Sequence, residues 1–138
     1  MGFDLLNANE YFYFNQNEWH RLLILAHYFG WEPMGTVPSE IMTEYYLGGK
    51  NSNEEAVQEY INNWEGHYNY NDFQIVVKED AINLAHALMN ALEGLPNEGN
   101  DLEYFSKDPI IDDFSSDEWK NTLNEFILFC KNGEFLIT

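Results

Sequence analysis

Apolar residues recur at helical spacing in several stretches of the chain and crowd together without that spacing in others, and this contrast predicts the elements. Trp19, Leu22, Leu23, Ala26 and Phe29 fall on one helical face, which Leu25 and Tyr28 widen. The pattern predicts a helix capped by Asn15 or Asn17 and running to about Phe29, where Gly30 supplies the left-handed closing residue. Ala81, Leu84, Ala85, Leu88 and Leu92 form the apolar stripe of a second helix, with Asp80 as its cap and Asn83, His86, Asn90 and Glu93 on the opposite face. Trp119, Leu123, Phe126, Ile127 and Cys130 mark a third, opened by a capping box from Ser115 to Glu118 and ended by Gly133. Two shorter helices are expected, one from Ser39 to Leu47 before Gly48-Gly49, the other from Ser52, where Ser52-Asn53-Glu54-Glu55 fits a capping box. Val57, Tyr60, Ile61 and Trp64 would be the buried stripe of that second short helix.

Strand signals are shorter. Tyr11-Phe12-Tyr13-Phe14 is too aromatic for a solvated loop, Phe73 to Val77 is rich in β-branched residues, and Glu134 to Ile137 returns as a terminal strand that needs those two as partners. The glycine and proline positions from Gly30 to Pro38 predict a rigid loop anchoring Trp31, and Gly66 to Asp72 reads as a turn. Periodicity is lost from Gly94 to Ser116, which reads as the longest and most acidic loop. The expected architecture is α+β, mainly helical, with four to five helices packed on a small antiparallel sheet in one domain covering residues 1–138.

Composition changes the functional picture more than the fold. Six Lys plus Arg stand against 24 Asp plus Glu, a formal net charge of −18, yet the aromatic fraction is 17%. Acidic disordered tails lack such aromatics, so this is a folded domain with an acidic surface. Its field repels phosphate backbones and anionic bilayers, which argues against nucleic-acid and membrane partners; such a surface more often serves solubility alone, and its functional alternative is the binding of a basic protein. The longest apolar run, Leu22 to Ala26, is too short to cross a bilayer. Met1 to Asn9 carries Asp4 and no basic segment before an apolar stretch, so no secretory signal is expected. The lone Cys130 excludes an internal disulfide and, inside Phe126-Ile127-Leu128-Phe129-Cys130, reads as buried; a reducing cytoplasm fits it.

Motifs for chemistry are missing. The chain has no G-x-x-x-x-G-K-[ST], no G-x-G-x-x-G and no G-x-S-x-G. His20, His27, His67 and His86 form no H-E-x-x-H, and one cysteine forms no C-x-x-C, so neither a metal nor a cofactor is expected. His20 and His27 share a helical face about 10 Å apart along the axis, too far for one ion without a ligand between them. The acidic pairs Glu54-Glu55 and Asp117-Glu118 sit at predicted helix N-termini, where the macrodipole already accounts for them. Asp108 to Asp117 lacks the spacing and turning glycine of a calcium loop.

Candidate contact residues remain. Tyr45, Tyr46, Tyr68 and Tyr70 flank glycine-containing turns without core periodicity, and Asp108, Asp112 and Asp113 crowd the acidic stretch; tyrosine anchors within an acidic rim suit a basic protein. His67, Tyr68, Tyr70 and Trp31 are the alternative, a pocket for a small molecule or substrate.

Gly30-Trp31-Glu32-Pro33-Met34-Gly35-Thr36, Asp80 to Leu88 and Phe129 to Phe135 resemble segments of small uncharacterised bacterial proteins. That resemblance implies a bacterial, stand-alone domain and brings no activity with it. The sequence therefore predicts a non-enzymatic acidic binding protein, an inhibitor or immunity-type factor for a basic partner. A small-molecule binder or enzyme, and a subunit of a larger assembly, are the alternatives.

Overall fold

Phe3, Leu5, Phe12 and Phe14 alternate with polar or exposed positions, and this period of two folds the first fifteen residues back on themselves. The structure, a computed structural model that describes residues 2–41, 54–95 and 109–138, has β1 at Gly2–Leu6 and β2 at Tyr11–Asn15, with Phe3 opposite Phe14 and Leu5 opposite Phe12. The sequence reading anticipates β2 and misses β1. The polar stretch between them looks like the end of a loop, but it is an ordered turn: Asn7 Oδ1 accepts hydrogen bonds from the backbone N–H of Asn9 at 3.0 Å and of Glu10 at 2.7 Å.

Two three-residue strands complete the sheet, β3 at Gln74–Val76 and β4 at Phe135–Ile137. β4 lies between β1 and β3, every neighbour is antiparallel, and the order is β2-β1-β4-β3. The terminal strand does pair with the Phe73–Val77 segment, as expected. Its other partner is β1, which separates it from Tyr11–Phe14. Register sorts the faces. Phe3, Leu5, Phe14, Val76, Phe135 and Ile137 point inward and are buried, while Tyr11, Leu6, Leu136 and Ile75 line up across the four strands on the other side.

Five helices are present among the described residues: α1 Gln16–Tyr28, α2 Glu54–Asn62, α3 Lys78–Gly94, α4 Pro109–Phe114 and α5 Asp117–Lys131. With the sheet they make an α+β fold in which α1, α3 and α5 supply the helical side of the core and α3 packs most extensively against α5. Asn15 caps α1 through a reciprocal box, accepting from Glu18 N at 2.8 Å while Glu18 Oε1 accepts from Asn15 N at 2.9 Å. Gly30, at φ 102°, turns the chain at the other end.

The structure corrects several boundaries. α5 is capped by Ser116, whose Oγ accepts from Trp119 N at 3.1 Å. Ser115 instead donates from its Oγ to Ile111 O at 2.5 Å, so the predicted box from Ser115 to Glu118 does not form. α3 begins before Asp80, with Val77 in the cap position and no side-chain cap bond. α4 lies in the stretch expected to be loop, because six residues are too few to reveal a helical period; Ile111 and Phe114 bury it nonetheless. No residue of α2 is buried, and Ile61 is 41% exposed, so Val57, Tyr60, Ile61 and Trp64 do not form a buried stripe. Tyr28 is likewise exposed rather than part of the α1 core face. Of the Ser39–Leu47 helix, Glu40 and Ile41 are helical, and the rest, like Ser52 and Asn53, lies outside the described residues.

The core is an aromatic interior. Phe14, Trp19 and Phe126 meet at ring separations of 5.1–6.1 Å, within the range where tilted and edge-on pairs are favourable. Phe12 joins them at 5.2 Å from Phe126. Cys130 is buried as expected, whereas Leu128 of the same segment is 63% exposed. Among the described residues, no helix is long and apolar enough to cross a membrane.

Candidate functional site

Asp80 continues the apolar stripe of α3 one turn ahead of Leu84, which carries a carboxyl group to a place where the helix otherwise buries only Ala and Leu. It is fully buried. Its Oδ1 accepts from the Trp31 indole Nε1 at 3.0 Å and, at a longer 3.4 Å, from Met34 N. The Tyr68 hydroxyl donates to Oδ2 at 2.5 Å and accepts from Gly35 N at 2.8 Å. No basic side chain among the described residues forms an ion pair with Asp80. Hydrogen bonds and the positive end of the α3 dipole replace a counter-ion, since Asp80 lies in the first helical turn.

This carboxyl group ties together two loops that meet over the end of the core. Thr36 N donates to Gly66 O at 3.1 Å, Thr36 Oγ1 to His67 O at 2.7 Å, and Trp64 Nε1 to Thr36 O at 2.9 Å. Trp19 Nε1 donates to Tyr68 O at 2.8 Å, and the buried Gln74 holds the turn from the sheet side through Nε2 to Tyr70 O at 2.5 Å. The loops approach closely because both supply glycine. Gly66 has φ 71°, and a Cβ there would lie 3.0 Å from Gly35 Cα and 3.3 Å from Thr36 N, both backbone atoms that cannot step aside. Gly66→Ala should therefore lose about 2 kcal/mol or more, as backbone strain and crowding add. A urea unfolding midpoint unchanged from wild type would show that the loops separate freely.

Burial and hydrogen bonding also set the titration of this region. The Tyr68 hydroxyl is pushed well above its ordinary 10.0, first by desolvation and then by the Asp80 bond and charge. Burial, followed by the charge of Asp80, raises the Cys130 thiol above 9.0. Both groups stay neutral in the folded state at a pH where the unfolded chain ionises them. Their contribution to stability is therefore complete below the ordinary values and is lost as pH rises through the raised ones. Unfolding midpoints should fall progressively from about pH 9 upward, and less steeply in Tyr68→Phe than in wild type. A flat alkaline profile would contradict the burial of both groups.

Of the expected contact residues, Tyr70 is 60% exposed and meets His67 edge-on at 5.3 Å. Tyr68 is half-buried, with its hydroxyl engaged internally. Asp113 is exposed and pairs with Arg21. Asp112 lies in α4, whereas Tyr45, Tyr46 and Asp108 lie outside the described residues. The structure brings the alternative set together: Trp31 meets Tyr68 at 5.1 Å, and His67 lies between Trp64 at 4.4 Å and Tyr70. His67 Nε2 is 3.4 Å from Asp72 Oδ2. Beside this set, a cleft of about 230 Å³ is lined by His20, Leu23, Ile24, His27, Trp31, Tyr68 and Asn69.

Sequence reasoning missed Asp80 and Gln74. Both interrupt an apolar pattern at a position that should face inward, Asp80 four residues before Leu84 and Gln74 two before Val76, and that interruption was the available signal. Asp80 has both oxygens bonded and no exposure, so its chemical role is to position Trp31 and Tyr68. Compared with known protein families, curated proteins and solved structures, the chain matches none.

Proposed function

We propose that this chain is a non-enzymatic, cytoplasmic acidic binding protein whose partner is a basic protein, in the manner of an inhibitor or immunity factor. One observation carries the reading: a net charge of −18 on a chain with a well-packed aromatic core. Like charges crowded on one surface repel each other, and a cationic partner relieves that repulsion while the field accelerates encounter. The closed hydrogen-bonding of the Asp80 cluster supports the same view, because its polar atoms serve the fold. The three segments that resemble small bacterial proteins support a bacterial setting.

The test is capture with tagged protein from nuclease-treated host lysate, followed by association kinetics of the retained protein across a salt series. A basic protein should be retained at low salt, and its association rate should fall about tenfold or more as the Debye length shrinks from ~10 Å to ~3 Å. An association rate indifferent to salt would overturn the electrostatic reading.

A second reading has its own observation, the cleft beside Trp31 and Tyr68, which has two histidines and an asparagine on its walls and no carboxylate. At about 230 Å³ it is smaller than most small-molecule sites and would admit a compound the size of one aromatic ring. Thermal stabilisation by such a compound, lost in Trp31→Ala, would favour it over the basic protein.

A further inference from the structure

The outer face of the sheet carries an apolar row that crosses all four strands. Opposed residues in register place Tyr11, Leu6, Leu136 and Ile75 in one row across β2, β1, β4 and β3, and the Val37 bridge to Ile75 extends the row by one position. Cross-strand neighbours of this kind form a continuous apolar ribbon. Tyr11, Leu6 and Val37 remain exposed at 59%, 37% and 39%. The ribbon dips into a cleft of about 300 Å³, floored by Leu6, Ile75 and Leu136 and walled by the turn at Asn7 on one side and by Asn132 and Glu134 on the other. Asn132 Nδ2 donates to Glu10 Oε1, which ties the two walls together.

We propose that this cleft receives an apolar side chain of the basic partner, while lysine or arginine neighbours of that side chain meet the acidic rim. The proposal rests on the basic-partner reading and gives it a place and a geometry. Three features select this occupant. Glu10 and Glu134 are exposed and Asp4 is half-exposed around the ribbon, and among the described residues no Lys or Arg lines the cleft. A second copy of a chain with a charge of −18 would bring that acidic rim against its own. The cleft volume lies at the bottom of the range for small-molecule sites, about 300–1,000 Å³, and suits one inserted side chain better than an enclosed ligand. The wall also has an unmet donor. Asn7 Oδ1 is fixed by its two backbone bonds, and Nδ2, shielded from solvent, has no hydrogen-bond partner among the described residues.

The experiment uses ¹⁵N-labelled protein titrated with two synthetic peptides of equal charge, one alternating Lys with Leu and the other alternating Lys with Ser. The Lys–Leu peptide should bind about tenfold or more tightly, as burial of one leucine side chain requires. Its amide shifts should concentrate at residues 6–9, Ile75 and 134–136. Leu136→Lys should erase the difference between the peptides, Leu136→Met should keep it, and both variants should retain the wild-type circular dichroism. Equal affinities, shifts centred on Tyr68 and Tyr70, or self-association in sedimentation through this face would overturn the docking site while leaving a basic partner possible. If neither peptide bound at any salt concentration, the basic-partner reading itself would fall.

Discussion

Asp80→Ala is expected to destabilise the fold by about 3 kcal/mol or more, a large effect for one carboxyl group that touches no cation. The reason lies in what it would leave behind. Trp31 is 3% exposed, so its indole N–H would lose its acceptor with no water to replace it. The Tyr68 hydroxyl would lose the group it donates to, although its half-exposed position lets water recover part of that cost. Unburying a carboxyl group returns some energy, but donors stranded in the interior cost more than the relief, as with other buried partners removed singly. Asp80→Asn should fall between wild type and alanine. It keeps the Oδ1 acceptor for Trp31 and turns an amide N–H₂ toward a tyrosine oxygen that already accepts from Gly35 N. Urea unfolding followed by tryptophan fluorescence, with an unchanged denaturant slope, measures both. A double-mutant cycle with Tyr68→Phe should show coupling of about 1 kcal/mol or more across the 2.5 Å bond. An Asp80→Ala protein within about 1 kcal/mol of wild type would mean that the two loops are held by packing and not by this group.

What the sequence shows of this fold follows from how far each signal reaches. α1, α3 and α5 repeat the helical period over several turns, so Trp19, Leu84 and Phe126 declare their inward faces locally. Gly30 and Gly133 likewise mark turns through a backbone conformation that only glycine adopts freely. β1 fails the same test. Its central place depends on β4, more than 120 residues away, and five residues flanked by a polar turn say nothing of a partner at that distance. α2 shows a second limit, since an amphipathic period reports which residues share a face and not whether anything covers that face. The candidate site is legible by half. Trp31, His67, Tyr68 and Tyr70 stand out by loop position and chemistry, and the structure places Trp31 against Tyr68 and His67 against Tyr70. In the sequence Asp80 reads as a cap, because an acidic residue at a helix start has the same appearance whether it binds its own backbone or faces the interior. The helix begins three residues earlier than that reading requires, and the shift turns a surface cap into the buried link between the loops.

Trp19 links that site to the core, and its two functions separate in two substitutions. Trp19→Ala should cost about 3–5 kcal/mol, because an unexposed indole is removed from between Phe3, Phe14 and Phe126, each about 6 Å away, and an aromatic interior this dense has little freedom to collapse. Trp19→Phe keeps most of the ring contacts and removes only the indole N–H that donates to Tyr68 O at 2.8 Å. Its global cost should be about 1–2 kcal/mol, the loss of one hydrogen bond together with a small void. The local consequence is more telling. With that bond gone, the turn around Tyr68 keeps its bonds to Gly2, Gly35, Thr36, Gln74 and Asp80 but loses its tie to the core face of α1, so its opening should become easier than the opening of the core. Hydrogen exchange reads this directly. In Trp19→Phe the amides of Gly35 and Thr36, which donate to Tyr68 and Gly66, should exchange faster by more than the global loss of stability explains, while α5 amides quicken only in proportion to that loss. Equal acceleration of both regions would show that the indole acts through packing alone, and that the loops and the core open as one unit.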